Sequence, residues 1–109
     1  MDNHEFGIMK TPPTEDGMYE CYEPKKYNCI SVSDDYIQPL LEDLSELDCY
    51  WHSLSRPEKN LAYTGITLIP PSSLNLFISL LGNNRETDRL KKLFIKARDE
   101  EKFVIHFGL

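Results

Sequence analysis

Apolar residues recur along this chain with two periods, one of two residues and one of three to four. Leu74, Phe77, Ile78 and Leu81 stand at i, i+3, i+4 and i+7, which puts them on one side of a helix that Gly82 would end. Leu76 and Leu80 widen that stripe, so the helix should be buried on most sides. A second helix carries Leu90, Leu93, Phe94 and Ala97 inward and Arg89, Lys92, Lys96 and Asp99 outward. Asn83, with Glu86 three residues on, resembles a capping box at its start. Leu40, Leu41, Leu44 and Leu47 predict a third, shorter helix opening at Pro39, with Glu42, Asp43 and Glu46 on its wet side.

Alternation marks the strands. Phe103, Ile105 and Phe107 fall on one face of a terminal strand, with Val104 and His106 on the other. Residues 18–23 and 27–32 read as a peripheral hairpin turning at Glu23-Pro24-Lys25-Lys26. Cys49–Leu54 and Ala62–Ile69 read as two further strands joined by the polar segment 55–60. Gly65 inside the second hints at a bulge or a close backbone approach. Residues 1–17, with Pro12, Pro13 and Gly17 among polar neighbours, read as an irregular lead-in. The order is β-β-α-β-β-α-α-β: one α+β domain over residues 1–109, with helices packed on a mostly antiparallel sheet.

Length and charge narrow the function classes. The chain has 109 residues, enough for one core, and a formal net charge of −6. That charge argues against direct binding of nucleic acid, whose phosphates require net Lys and Arg. The basic stretch 85–102 carries Glu86, Asp88, Asp99, Glu100 and Glu101 among its cations and reads as a solvated helix face laced with ion pairs. No apolar run is long enough to span a membrane. The charge is also uneven. Residues 1–50 hold 12 acids and 3 bases, and residues 51–109 hold 6 acids and 9 bases. All six tyrosines and Trp51 lie between positions 19 and 63.

Candidate chemistry is sparse. Cys21, Cys29 and Cys49 are odd in number and form no CxxC pair, and the first residues lack the basic and apolar regions of a signal peptide. These features point to a reducing cytoplasm, with the thiols packed as small hydrophobes. Cys49 and His52 form a C-x2-H step, but the remaining spacings fit no zinc site, and no metal or cofactor is expected. A catalytic reading would rest on His4, His52 and His106, with Ser53 or Ser55 as a nucleophile beside His52. No phosphate loop, nucleophile elbow, HExxH or paired-carboxylate motif accompanies them. His106, in an apolar strand, reads as a hydrogen-bonded structural histidine, and the chain as a whole as non-catalytic.

The acidic, tyrosine-rich half is the stronger handle. Asp34, Asp35, Glu42, Asp43, Glu46 and Asp48 surround Tyr36, Tyr50 and Trp51 in sequence. Aromatic side chains anchor protein interfaces, and acids around them steer a basic partner. The segments Cys49–Pro57, Tyr63–Leu74 and Phe103–Leu109 give the chain a resemblance to the immunity proteins of bacterial toxin–immunity systems, including contact-dependent growth inhibition. That resemblance implies a cytoplasmic protein that binds and neutralises a cognate toxin domain, often a nuclease with a basic cleft. It carries over no binding residue, because such proteins share no diagnostic motif. The alternatives are a small ligand-binding or regulatory module with a pocket of Tyr63, His52 and Trp51, and, behind it, a small hydrolase using His52 and His106.

Overall fold

Period-two alternation near the N-terminus builds the part of the sheet that composition conceals. In the computed structural model, which describes residues 2–109, Asn3–Ile8 form a strand, β1, with His4 and Phe6 fully buried. The irregular lead-in expected over residues 1–17 is therefore corrected for this stretch. His4 and Glu5 made it look polar, yet His4 is accommodated inside by hydrogen bonds and Glu5 points to the opposite face. The other strands are β2 (Ile30–Ser33), β3 (Asp48–Trp51), β4 (Pro57–Lys59), β5 (Ile66–Ile69) and β6 (Val104–Phe107). They pair antiparallel throughout in the order β2-β1-β6-β5-β3-β4. The α+β class and the antiparallel sheet are as the sequence predicts.

The expected hairpin over 18–32 does not form. Its second half is β2, but β2 pairs with β1, in the register Asn3↔Ser33 to Phe6↔Ile30. Residues 18–23 contain no strand; they belong to a long connection that crosses the second face of the sheet. Tyr19, Tyr27 and Cys29 of that connection, with Met9, pack over Ile66, Leu68, Ile105 and Phe107. The aromatic and thiol side chains that suggested a strand are thus the lid of a small second core.

The principal core lies on the other face. There α1 (Asp34–Ile37), α2 (Leu74–Leu81) and α3 (Asp88–Asp99) cover the sheet. Phe6, Phe77 and Phe94 meet at its centre, with Leu44, Leu47, Leu74 and Leu90 also fully buried. α3 follows its predicted stripe. α2 follows Leu74, Phe77 and Leu81 but leaves Leu76 exposed, so it is buried along one side rather than on most. The side-chain cap before α3 is Asn84 rather than Asn83. Its Oδ1 accepts from the Glu86 N–H at 2.9 Å and closes one 3-10 turn ahead of the helix. The single helix expected over 40–47 is instead α1 followed by 3-10 turns at 38–40 and 43–46. Pro39 falls five residues into that helical stretch, where it has no N–H to donate to the preceding turn. The leucine spacing still aims Leu44 and Leu47 inward. β4 arises in the segment expected to be a loop. It is an exposed edge strand, where Pro57 is tolerated.

β5 starts later than expected, at Ile66, because residues 61–65 turn against the end of the chain. The Gly108 N–H donates to Gly65 O at 2.7 Å and the Leu109 N–H to Tyr63 O at 2.9 Å. A Cβ on Gly108 would sit 2.2 Å from Tyr63 O, an impossible contact with backbone. Gly108→Ala should therefore destabilise the fold by about 1–3 kcal/mol, measured as a lower urea midpoint, because relieving the clash must part the chain end from the 61–65 turn.

Candidate functional site

The residues of the acidic half separate once the chain folds. Asp35, Glu42, Asp43 and Glu46 are exposed, and among the described residues none of them is in an ion pair. Asp48 is exposed and engaged by Lys59 across the β3–β4 hairpin. That hydrogen bond, then the charges of Asp48 and Glu46, hold the Lys59 ammonium more firmly protonated than usual. The aromatic residues expected to anchor a partner are committed internally. Tyr36 packs on the helical core, Tyr50 lies against Phe103 with ring centroids 6.4 Å apart, and Trp51 donates its indole N–H to Asn60 O at 3.0 Å. Asp34 is drawn partly inward, its side chain 21% exposed.

Asp34 ends a buried hydrogen-bond chain, and the polarity of that chain can be followed from its first donor. The Ala62 N–H donates to Thr67 Oγ1 at 2.8 Å, and Thr67 Oγ1 lies 2.9 Å from His106 Nδ1. His106 Nε2 lies 2.9 Å from His4 Nδ1, and His4 Nε2 lies 2.8 Å from Asp34 Oδ1. Tyr63 donates its hydroxyl to Asp34 Oδ2 at 2.6 Å. With both imidazoles neutral, one direction satisfies every link: Thr67 O–H to His106, His106 Nε2–H to His4, His4 Nε2–H to the carboxylate. The Tyr63 hydrogen bond and His4 lower the Asp34 pKa against the opposing effect of burial, while Asp34 raises the Tyr63 hydroxyl to about 12. Burial pushes His106 well below the ordinary histidine value.

Thr67, His106, His4 and Asp34 stand in the order of a nucleophile relay. Thr67, His106 and His4 are, however, fully buried, and the three clefts of about 470–540 Å³ on the surface are lined by other residues. The chain's evident work is to tie β1, β5 and β6 to the start of α1, in keeping with the structural histidine expected at His106. His4, expected in an irregular leader, is its central link. The pairing of His52 with His106 fails, because His52 faces the opposite side of the sheet. Among the described residues no three His, Cys, Asp or Glu side chains are grouped to hold a metal. Burial pushes the Cys29 and Cys49 thiols to about 12, so both stay protonated and weakly nucleophilic.

His52 instead helps to line the largest of these clefts, about 540 Å³. It leaves β3 in the left-handed region, with φ of 64°, and its N–H donates to Ile66 O at 3.0 Å. Its Nδ1–H donates to Tyr19 O at 3.1 Å, and its Nε2 faces the Ile66 N–H of β5 at 3.5 Å. A Cβ on Gly65 would stand 2.7 Å from Nε2, so a larger residue there would have to displace the His52 ring. Around this floor the fold gathers Asp2, Glu5 and Glu20, and among the described residues no Lys or Arg lines the cleft. Tyr22 rises at its side, 65% exposed, with its hydroxyl donating to Glu5 and its ring edge-on to Phe107 at 5.4 Å. That hydrogen bond to Glu5 raises the Tyr22 pKa. The expected pocket of Tyr63, His52 and Trp51 thus keeps only His52. Tyr63 turns to Asp34 and Trp51 to Asn60.

No family model, curated protein or solved structure matches this chain. No helix among the described residues is long and apolar enough to cross a membrane.

Proposed function

We propose that the protein binds a basic protein domain and neutralises it, as an immunity protein does, and that it does so without catalysis of its own. The observation that carries this reading is the acidic cleft. Three carboxylates converge on an open cavity that, among the described residues, no Lys or Arg lines, beside an aromatic ring left largely in water. Separated like charges around a concavity favour a cationic occupant, and a half-supported tyrosine is the side chain that most readily gains from being covered. Met18, 60% exposed, and Leu109, 38% exposed, add apolar surface on the same side of the sheet. A lysine or arginine of the partner would sit among Asp2, Glu5 and Glu20. The free charges of Asp35, Glu42, Asp43 and Glu46 would hasten its approach rather than hold it. The anchor in this reading is Tyr22, not Tyr36, Tyr50 or Trp51.

The test is capture with a matched variant. In cells that make it, the wild-type chain should retain a protein of net positive charge whose expression alone arrests growth, and co-expression should restore growth. Glu5→Lys/Glu20→Lys/Tyr22→Ala should weaken that complex by at least a hundredfold, mainly through faster dissociation. Lysines at Asp35, Glu42 and Asp43 should instead slow association about tenfold at low salt and have little effect at high salt. Retention of the same partner by the cleft variant, or a partner of net negative charge, would overturn the reading.

A further inference from the structure

The opposite end of the sheet carries a cleft of inverse charge. It is about 480 Å³ in volume and lies between α3 and the β1–β2 edge. Arg89, Lys92, Lys96 and Glu100 follow one another at helical spacing, so they project from one side of α3 along its rim. Lys10, just past β1, and Lys102, just past α3, complete that rim. Two of the cations are accounted for. Lys92 pairs with Asp88 at 3.0 Å and Lys102 with Glu100 at 3.1 Å. Among the described residues Lys10, Arg89 and Lys96 have no acid in an ion pair with them. The floor is apolar, made by half-buried Ile8, Ile30 and Leu93, and Tyr27 and Asn28 bound it on one side, the Tyr27 ring itself lying toward Phe107.

We propose that this cleft binds a nucleoside phosphate. A rim of guanidinium and ammonium groups is the donor set that phosphate oxygens select. The aliphatic floor receives a flat, weakly polar base, and the exposed Asn28 amide offers both a donor and an acceptor to its edge. The volume is that of a small-molecule site. The chain's net charge of −6 separates a small ligand from a polymer. A nucleotide brings a few charges to the one positive end, whereas a nucleic acid strand would continue past it over acidic surface. This inference does not depend on the acidic cleft or on a protein partner.

Calorimetric titration of the full chain with ATP at low salt tests it. ATP should bind with a sub-millimolar Kd, and adenosine and inorganic phosphate should each bind at least tenfold more weakly, because each fills half of the site. Arg89→Glu and Lys96→Glu, both at exposed positions, should each weaken ATP tenfold or more with unchanged circular dichroism. Arg56→Glu, an equal charge change beside the β3–β4 hairpin, should alter it less than twofold. No measurable heat with ATP, ATP binding no tighter than phosphate, or an equal loss in Arg56→Glu would overturn the proposal. So would tighter binding of a single-stranded RNA oligonucleotide than of ATP.

Discussion

Phe6→Ala will remove about 3–5 kcal/mol of stability, most of what a domain of this size possesses. Phe6 has no exposed surface, and its ring stands edge-on to Phe77 at 6.0 Å and to Phe94 at 5.5 Å, with His106 4.9 Å away. Phe77 and Phe94 themselves meet at 4.6 Å, so the three rings form one unit joining β1, α2 and α3. Truncation would leave a cavity that the sheet on one side and two helices on the other can only partly close. Phe6→Leu, which keeps most of the volume, should cost about 1.5 kcal/mol or less. Urea unfolding followed by Trp51 fluorescence and far-ultraviolet circular dichroism reads both changes. A loss within about 0.5 kcal/mol for Phe6→Ala, the value of an ordinary surface position, would mean that β1 is not part of the folded core.

That prediction marks where the sequence was hardest to read. The helices were legible because Leu74, Phe77 and Leu81, and Leu90, Phe94 and Ala97, repeat at a helical period over enough residues to exclude a strand. β6 was legible because its two faces are both apolar except for His106. β1 was not, since one of its inward positions is a histidine whose suitability for the interior depends on Asp34 and His106, 30 and 102 residues away. Residues 18–29 misled in the opposite direction. A tyrosine covering a sheet and a tyrosine within a strand have the same local signature. The leucine run 40–47 gave the correct inward face and the wrong element, because one proline decides whether the turns join into a helix.

The candidate site was legible only in its chemistry. The acidic excess of the first half does reach the surface, at Asp35, Glu42, Asp43 and Glu46. Its convergence on a cavity involves Asp2, Glu5 and Glu20, brought together by β1 pairing with β6 and by the long connection folding back. No local pattern encodes that meeting. Trp51 and Tyr50 were attractive as anchors because of their type, and β3 lies second from the sheet edge, where such side chains serve packing instead. The alternation of Asn3 and Glu5 against His4 and Phe6 was the one signal that could have placed an acid on the open face.

Stability will fall steeply on mild acidification, and His106 is the cause. An unfolded histidine titrates near pH 6.5, whereas the folded His106, fully buried and next to His4, takes up a proton only at much lower pH. Below about pH 6.5 the unfolded chain therefore binds a proton that the folded chain does not. The loss then grows with each further step of acidification, until the pH at which the folded His106 itself takes up the proton. Asp34 adds to the loss at lower pH. Its folded pKa is depressed, so its contribution is complete above the ordinary carboxylate value and disappears as pH falls through the folded one. Protonating His106 at Nδ1 would also turn that nitrogen from an acceptor into a donor and leave the Thr67 hydroxyl without its partner. Urea midpoints should be flat from pH 8 to 7 and then decline. His106→Gln removes the titrating group and keeps an N–H that can reach His4; it should lower stability at pH 7.5 and flatten the decline between pH 6.5 and 5. An unchanged acid slope in that variant would assign the pH dependence to other groups and return the histidine chain to a purely packing role.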